Sequence, residues 1–280
     1  MARFNGMLSM LTAAAIALSA GLAAGPAAAD DDAIARIKEQ GTLRVALTPT
    51  ALGFNYKKPD SNELVGINVE MAKILADRLG VELEFIEMPF SAVFEHLLSG
   101  RSDIVMTAVL IRPERQQMFN FSDVNYSFGF TAITRADDPR EFKNLAEVVE
   151  EFKRGDLKVG EQTNAAFVNM VREAGIPTTQ IQFYDSKQDA IRDLALGRID
   201  ITFWDKPIAE YFVHINPDLS EKIRIHDGFE SPRLNNGYPI KFEDTELLEF
   251  VNEVLAEKKA DGTMRQIVES FGIDPEILEQ

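Results

Sequence analysis

The chain is 280 residues long, has no cysteine, and sets 29 Lys and Arg against 45 Asp and Glu, a formal net charge of -16 at pH 7. The missing thiols exclude a disulfide framework, so the fold must rest on its apolar core. The acidic balance excludes nucleic acid and anionic membrane surfaces as partners, and is read as a solubilising surface rather than as a guide to a ligand.

The first predicted element is a signal peptide over residues 1–29. Arg3 is followed by an apolar run from Met7 to Ala24, a Gly25-Pro26 break and the string Ala27-Ala28-Ala29, with cleavage expected between Ala29 and Asp30. A retained anchor is the alternative. No later stretch approaches the roughly 20 apolar residues of a spanning helix. No cysteine stands at the cleavage site to take a lipid, so free residence in the periplasm is expected.

From Thr42 the chain alternates between strand and helix patterns. Strands are predicted at 43–47, 81–86 and 103–107, with helices at 69–79 and 91–98 between them. After Asp137-Asp138-Pro139 the rhythm restarts, with helices at 144–153, 165–174 and 186–196 and strands at 157–160, 181–184 and 199–204. The expected fold class is α/β, with two similar lobes of parallel sheet covered by helices. An internal similarity supports two lobes: Leu97-Leu98-Ser99-Gly100-Arg101-Ser102-Asp103-Ile104 returns as Leu194-Ala195-Leu196-Gly197-Arg198-Ile199-Asp200-Ile201. A common helix-to-strand turn is the competing explanation. The stretch 245–271 reads as two helices broken at Asp261-Gly262, with no strands of its own. It must return to an existing lobe, so the chain crosses between lobes twice and forms a hinge.

Signals for enzyme chemistry are missing. His96, His214 and His226 lack metal-ligand spacing, and there is no nucleophile elbow, phosphate loop or dinucleotide fingerprint. No cofactor or metal is expected. Two segments do point to a ligand. Thr107-Ala108-Val109-Leu110-Ile111-Arg112-Pro113-Glu114-Arg115 leaves a buried strand and enters a helix at Pro113. Ligands of open α/β sheets sit beyond the carboxyl ends of strands, where Arg115 could grip a carboxylate with two hydrogen bonds. The alternative is a surface arginine paired with Glu114. Phe203-Trp204-Asp205-Lys206-Pro207 ends a second buried strand, and Asp205 either meets a ligand ammonium or caps the following helix.

Several ordered motifs together resemble the extracellular solute-binding proteins of polar amino-acid ABC importers, solute-binding protein family 3, which includes lysine/arginine/ornithine-, histidine- and glutamine-binding proteins. They are Gly41-Thr42-Leu43-Arg44-Val45-Ala46, Leu64-Val65-Gly66-Ile67-Asn68-Val69-Glu70, Arg112-Pro113-Glu114-Arg115, Phe121-Ser122-Asp123, Gly197-Arg198-Ile199-Asp200 and Asp261-Gly262-Thr263. The resemblance implies two α/β lobes joined by hinge strands near 127–130 and 235–238, with residues 42–128 and 237–280 in lobe 1 and 129–236 in lobe 2. It implies a monomer that captures a small zwitterionic solute by hinge closure and delivers it to an ABC importer permease.

Carried over by position, the resemblance assigns Arg115 to the ligand carboxylate, Asp205 to its amino group and Phe90 to an aromatic wall. Thr107, Ala108 and Leu110 would supply strand-end contacts, and Gln162, Asn164 and Ala166 the loop of the second lobe. The chain departs from the family pattern at Thr48, often aspartate, at Ala51, often aromatic, and at Leu110 and Ala166, often hydroxyl residues. Fewer polar partners weaken the case for an ordinary α-amino acid. Phe90 and Trp204, with Phe54 more naturally a core residue, could instead favour a methylated ammonium such as a betaine, or a cyclic derivative such as an ectoine. Two other readings remain at this point. One is a cyclohexadienyl dehydratase-like enzyme with Glu161 or Asp205 as general acid; the other is a ligand sensor acting on a separate partner.

Overall fold

A computed structural model describes residues 32–163 and 166–279. The signal-peptide reading and Asn164 lie outside the described residues, as does the side chain of Ala166. Among the described residues no helix is long and apolar enough to cross a membrane.

The strand Thr42–Leu47 is the middle of a three-stranded parallel sheet, between Glu82–Glu87 and Ile104–Val105. Its position explains its apolar run, since Val45, Ala46 and Leu47 are covered on both faces. Helix Ile67–Leu79 lies over the sheet with Met71, Ala72, Leu75, Ala76 and Leu79 inward, the spacing of a one-sided helix. Gly66 caps its start at φ 139°, where a Cβ would overlap the Phe54 carbonyl, so glycine is required there.

The second sheet runs in the order Ile181–Tyr184, Val159–Gln162, Ile201–Asp205, Phe130–Arg135, Ile223–Ile225. Its first three strands are parallel, as expected, but the last two pair antiparallel. This corrects the expectation of purely parallel sheets. Phe130–Arg135 enters directly from the crossing between the sheets, without a covering helix that would turn it round. A second correction concerns the strand predicted at 157–160, which occupies Val159–Gln162.

The repeated octet is one structural device used twice. In each copy the glycine adopts a left-handed conformation, Gly100 at φ 68° and Gly197 at φ 71°, and closes the preceding helix. The aspartate then stitches its own strand to the neighbouring one. Asp103 donates its N–H to Arg44 O and accepts Arg44 N–H at 2.9 Å; Asp200 donates to Lys158 O and accepts Lys158 N–H at 2.8 Å.

Two antiparallel strands, Tyr126–Phe128 outgoing and Leu234–Asn236 returning, join the halves, with Asn236 opposite Tyr126 and Leu234 opposite Phe128. After the return, helices Thr245–Ala260 and Thr263–Ser270 pack on the first half through Leu247, Val251, Val254 and Val268. The architecture is thus two α/β lobes joined by two hinge strands. Helix Lys206–His214, which follows the second sheet, also reaches across: Tyr211 packs on Tyr56 and Phe271, with ring centroids 6.4 and 5.9 Å apart, and covers Gly53, where a Cβ would lie 3.2 Å from the Tyr211 Cβ.

Candidate functional site

Arg115 stands in a single helical turn, Pro113–Gln116, shorter than the helix the sequence suggested. Its Nη1 donates to Leu110 O at 2.9 Å, and the guanidinium carbon lies 5.5 Å from the Phe90 ring and 5.2 Å from the Phe94 ring. Among the described residues no carboxylate forms an ion pair with it, so the pairing with Glu114 does not occur. Burial and the nearby Arg112 lower its pKa from the usual guanidinium value, and the side chain stays charged. It is therefore a cation held on an aromatic platform with donors left over.

The strand end carrying Arg115 is sewn to the hinge. Leu110 bridges Asn236, Ile111 N–H donates to Asn235 O, and Gly237 N–H donates to Val109 O. Beside it, Asn55 Nδ2 donates to Thr48 O and to Thr107 Oγ1, the latter at 3.2 Å, so one buried amide links the ends of two neighbouring strands. Among the described residues, the buried Thr48 Oγ1 has no hydrogen-bond partner. Ala108 packs half-buried against the core.

In the second sheet Asp205 closes its strand opposite Phe130, and Lys206 N–H donates to Gly129 O. The side chain makes no cap to the following helix. Burial raises its carboxyl to about 6 against the opposing pull of Lys187. Lys187 is already committed. Its Nζ lies 2.6 Å from Glu161 Oε2 and donates to Phe203 O at 2.7 Å and Thr202 Oγ1 at 3.1 Å. Glu161 in turn accepts Phe203 N–H at 2.8 Å and the Thr202 hydroxyl at 3.2 Å. Glu161 is consumed by this closed internal network, and Asp205 is left with no hydrogen-bonded partner among the described residues.

Gln162 and Trp204 share a cavity of about 910 Å³ with Lys187, Leu52, Tyr56 and Phe212, lined by residues from both halves of the chain. Trp204 is 9% exposed and packs its ring 5.2 Å from Phe212, so it serves both core and cavity wall. Phe54, fully buried against Tyr126 and Phe128, is a core residue.

The structure therefore brings together Phe90, Leu110 and Arg115; Thr48 and Thr107 through Asn55; and Gln162 and Trp204 on one cavity. No described contact joins Arg115 to Asp205, which end strands of different sheets. Sequence reasoning missed Asn55, Lys187 and Phe94. A polar side chain inside an apolar run, as in Phe54-Asn55-Tyr56, was the available signal. Of the histidines, His226 is buried, with its Nε2 3.0 Å from Thr134 Oγ1 and its Nδ1 accepting Phe142 N–H at 3.3 Å, a packing role. Among the described residues no group of three or more His, Asp or Glu is placed to hold a metal ion.

Comparison with known proteins gives one consistent family. The family model of the bacterial extracellular solute-binding proteins, family 3, matches residues 43–273. The L-cystine-binding protein TcyJ of Escherichia coli K12 is 28% identical over 270 residues, covering 96% of this chain and 97% of that protein. An ancestral cationic amino acid solute-binding protein is similar in structure, with a TM-score of 0.75 at 27% identity, covering 85% of this chain and 99% of that one. The L-cystine solute receptor of Neisseria gonorrhoeae, in its unliganded open conformation, gives a TM-score of 0.71 at 25% identity, covering 89% and 99%.

Proposed function

Because the chain belongs to the bacterial extracellular solute-binding proteins of family 3, we propose that it closes on an α-amino acid or a zwitterion derived from one and hands it to the permease of an ABC importer. The observation that carries this reading is a pair of opposite charges, each lacking a counter-ion bond, at strand ends of the two sheets. Arg115, with free donors over Phe90 and Phe94, takes the solute carboxylate. Asp205, whose carboxylate makes no hydrogen bond among the described residues and whose neighbour Lys187 is tied to Glu161, takes its ammonium. Residues 42–128 with 237–280 form one moving body and 129–236 the other, and the solute's stronger binding to the closed form drives the motion.

The proteins similar to this chain are named for L-cystine and for cationic amino acids. These solutes share the zwitterionic head and differ in the tail, and the cavity beside Trp204 is the place for a tail. The apolar Leu52, Trp204 and Phe212 favour one with an extended apolar middle. A dehydratase activity is not favoured, because similar proteins are named for binding L-cystine and histidine; of the two candidate acids, Glu161 is tied to Lys187, Thr202 and Phe203, and Asp205 serves the solute ammonium in this reading. In this reading the protein acts in the periplasm as a binder.

The test is calorimetric titration of refolded, solute-stripped protein with L-cystine, L-arginine, the other common amino acids, betaines and ectoines. A zwitterion should bind, and Arg115→Ala should weaken it by roughly a hundredfold, the scale of a lost charged hydrogen-bond pair. Binding left intact in Arg115→Ala would overturn the assignment of the carboxylate.

A further inference from the structure

We infer that Asn55, Asn68, Tyr126 and Tyr238 are positioning residues that couple the solute-facing strand ends to both hinge strands, and so set the balance between open and closed forms. The inference rests on the binding-protein reading, but its first readout needs no solute.

All four side chains are fully buried, yet none packs as a bystander. Asn55 holds Thr48 O and Thr107 Oγ1 through its amide nitrogen, while its Oδ1 accepts Asn68 Nδ2 at 2.8 Å. Asn68 Oδ1 then faces two phenols, Tyr126 at 3.2 Å and Tyr238 at 2.9 Å. These two hydroxyls are also 3.0 Å from one another. Tyr126 belongs to the outgoing hinge strand and Tyr238 follows the returning one, so the chain of contacts begins at two strand ends and finishes on both crossings.

The proton count makes this junction more than a brace. Three oxygen–oxygen contacts at Asn68 Oδ1 and the two phenols are served by only two phenolic protons, because an amide oxygen donates none. Burial pushes both phenols well above their ordinary range, so each keeps its one proton. One contact is always without a proton. More than one proton arrangement satisfies the other two contacts, and in this proposal the relative position of the two hinge strands selects among them. At the other end, Thr107 accepts from Asn55, which leaves its own hydroxyl proton to be directed elsewhere, and the buried Thr48 Oγ1 has no hydrogen-bond partner among the described residues. A solute that engages either hydroxyl changes the pull on Asn55, and through Asn68 changes the preferred spacing of the phenols.

The absence of native cysteine allows a direct test. Lys73 and Lys153, exposed on helices of the two halves with side chains 52% and 61% accessible, are replaced by cysteine and labelled for distance measurement. In this background Tyr126→Phe and Tyr238→Phe remove one hydroxyl each and keep the ring. Each should shift the solute-free distance distribution. Each should also change affinity for the tightest-binding common L-amino acid by roughly twofold to tenfold, the range of one hydrogen bond, while the closed distance at saturation stays at the parental value. Parental distances and parental affinity in both variants would overturn the inference, even if their melting temperatures fell, because that result describes a purely structural network. If no amino acid binds the parent, the functional reading fails, and the solute-free distances alone decide on the coupling.

Discussion

Asp103 and Asp200 perform the same stitch in the two lobes but in different surroundings. Asp103 is fully covered and faces Arg44 through both oxygens, with Nη2–Oδ1 at 2.7 Å and Nε–Oδ2 at 3.1 Å. Asp200 keeps 17% of its side chain exposed and is shared between Arg135 at 3.2 Å and Arg140 at 3.7 Å. A repeated sequence thus fixes a repeated geometry without fixing its energy, since burial sets how much a charge and its partner depend on each other. The contrast extends to the site. Among the described residues the first lobe presents a cation without an ion pair, Arg115, and the second an anion without a hydrogen bond to its carboxylate, Asp205.

The largest effect expected is on stability. Asp103→Ala strips a buried partner from Arg44 and frees its N–H, and should cost about 3 kcal/mol in urea unfolding. Asp200→Ala loses the same backbone bond in a wetter setting and should cost about 1 kcal/mol. Equal losses would show that the turn, rather than burial, sets the energy, and the comparison would fail.

Next in size is the pH dependence of binding. With Asp205 at about 6 in the free protein, a solute ammonium lowers that value in the complex, so binding releases a proton. Affinity should be level above about 6 and fall by about tenfold for each pH unit below it, until the pKa of the complex is reached. Asp205→Asn should bind weakly and without this slope. A slope that survives in the variant would place the titrating group elsewhere.

The smallest effect belongs to His226, whose pKa burial and Arg224 lower from 6.5. The unfolded chain takes up the proton first, so the stability contributed by the neutral imidazole is present above about 6.5 and is lost as pH falls through and below it. Asp205 at about 6 and Glu210 at about 7 act with the opposite sign, because the folded state holds their protons more tightly. The His226 contribution is therefore the difference between parent and His226→Gln melting temperatures across pH 7 to 5. A difference that does not change with pH would remove His226 from the account.

The sequence was most legible where one face of an element is apolar over several turns or a full strand. Thr42–Leu47 and Ile67–Leu79 stand close to where the periodicity puts them. Val159–Gln162 was displaced by two residues because its end is disguised. Glu161 reads as surface, and only Lys187, distant in sequence, makes it a buried strand residue. Pieces as short as Thr50–Ala51 and Leu64–Val65 have no period to read. The antiparallel direction of Phe130–Arg135 is set by the hinge rather than by its own residues. Arg115 and Asp205, the residues proposed to hold the solute, stand out in the sequence because each follows a readable buried strand. Asn55 and Asn68 stand out only as polar residues inside apolar runs, a pattern that looks the same in sequence whether the amide joins a network or only tolerates burial.

Tyr211 seated over Gly53 adds a second bearing to the joint. Two strands alone would act as a flexible strap, able to bend, twist and slide. A strap together with a separate point of support is held at two places instead of one, which resists twisting and sliding more than bending. In the proposed closure such a joint would favour one arc, and a solute would be measured by how far along that arc it stops the two halves.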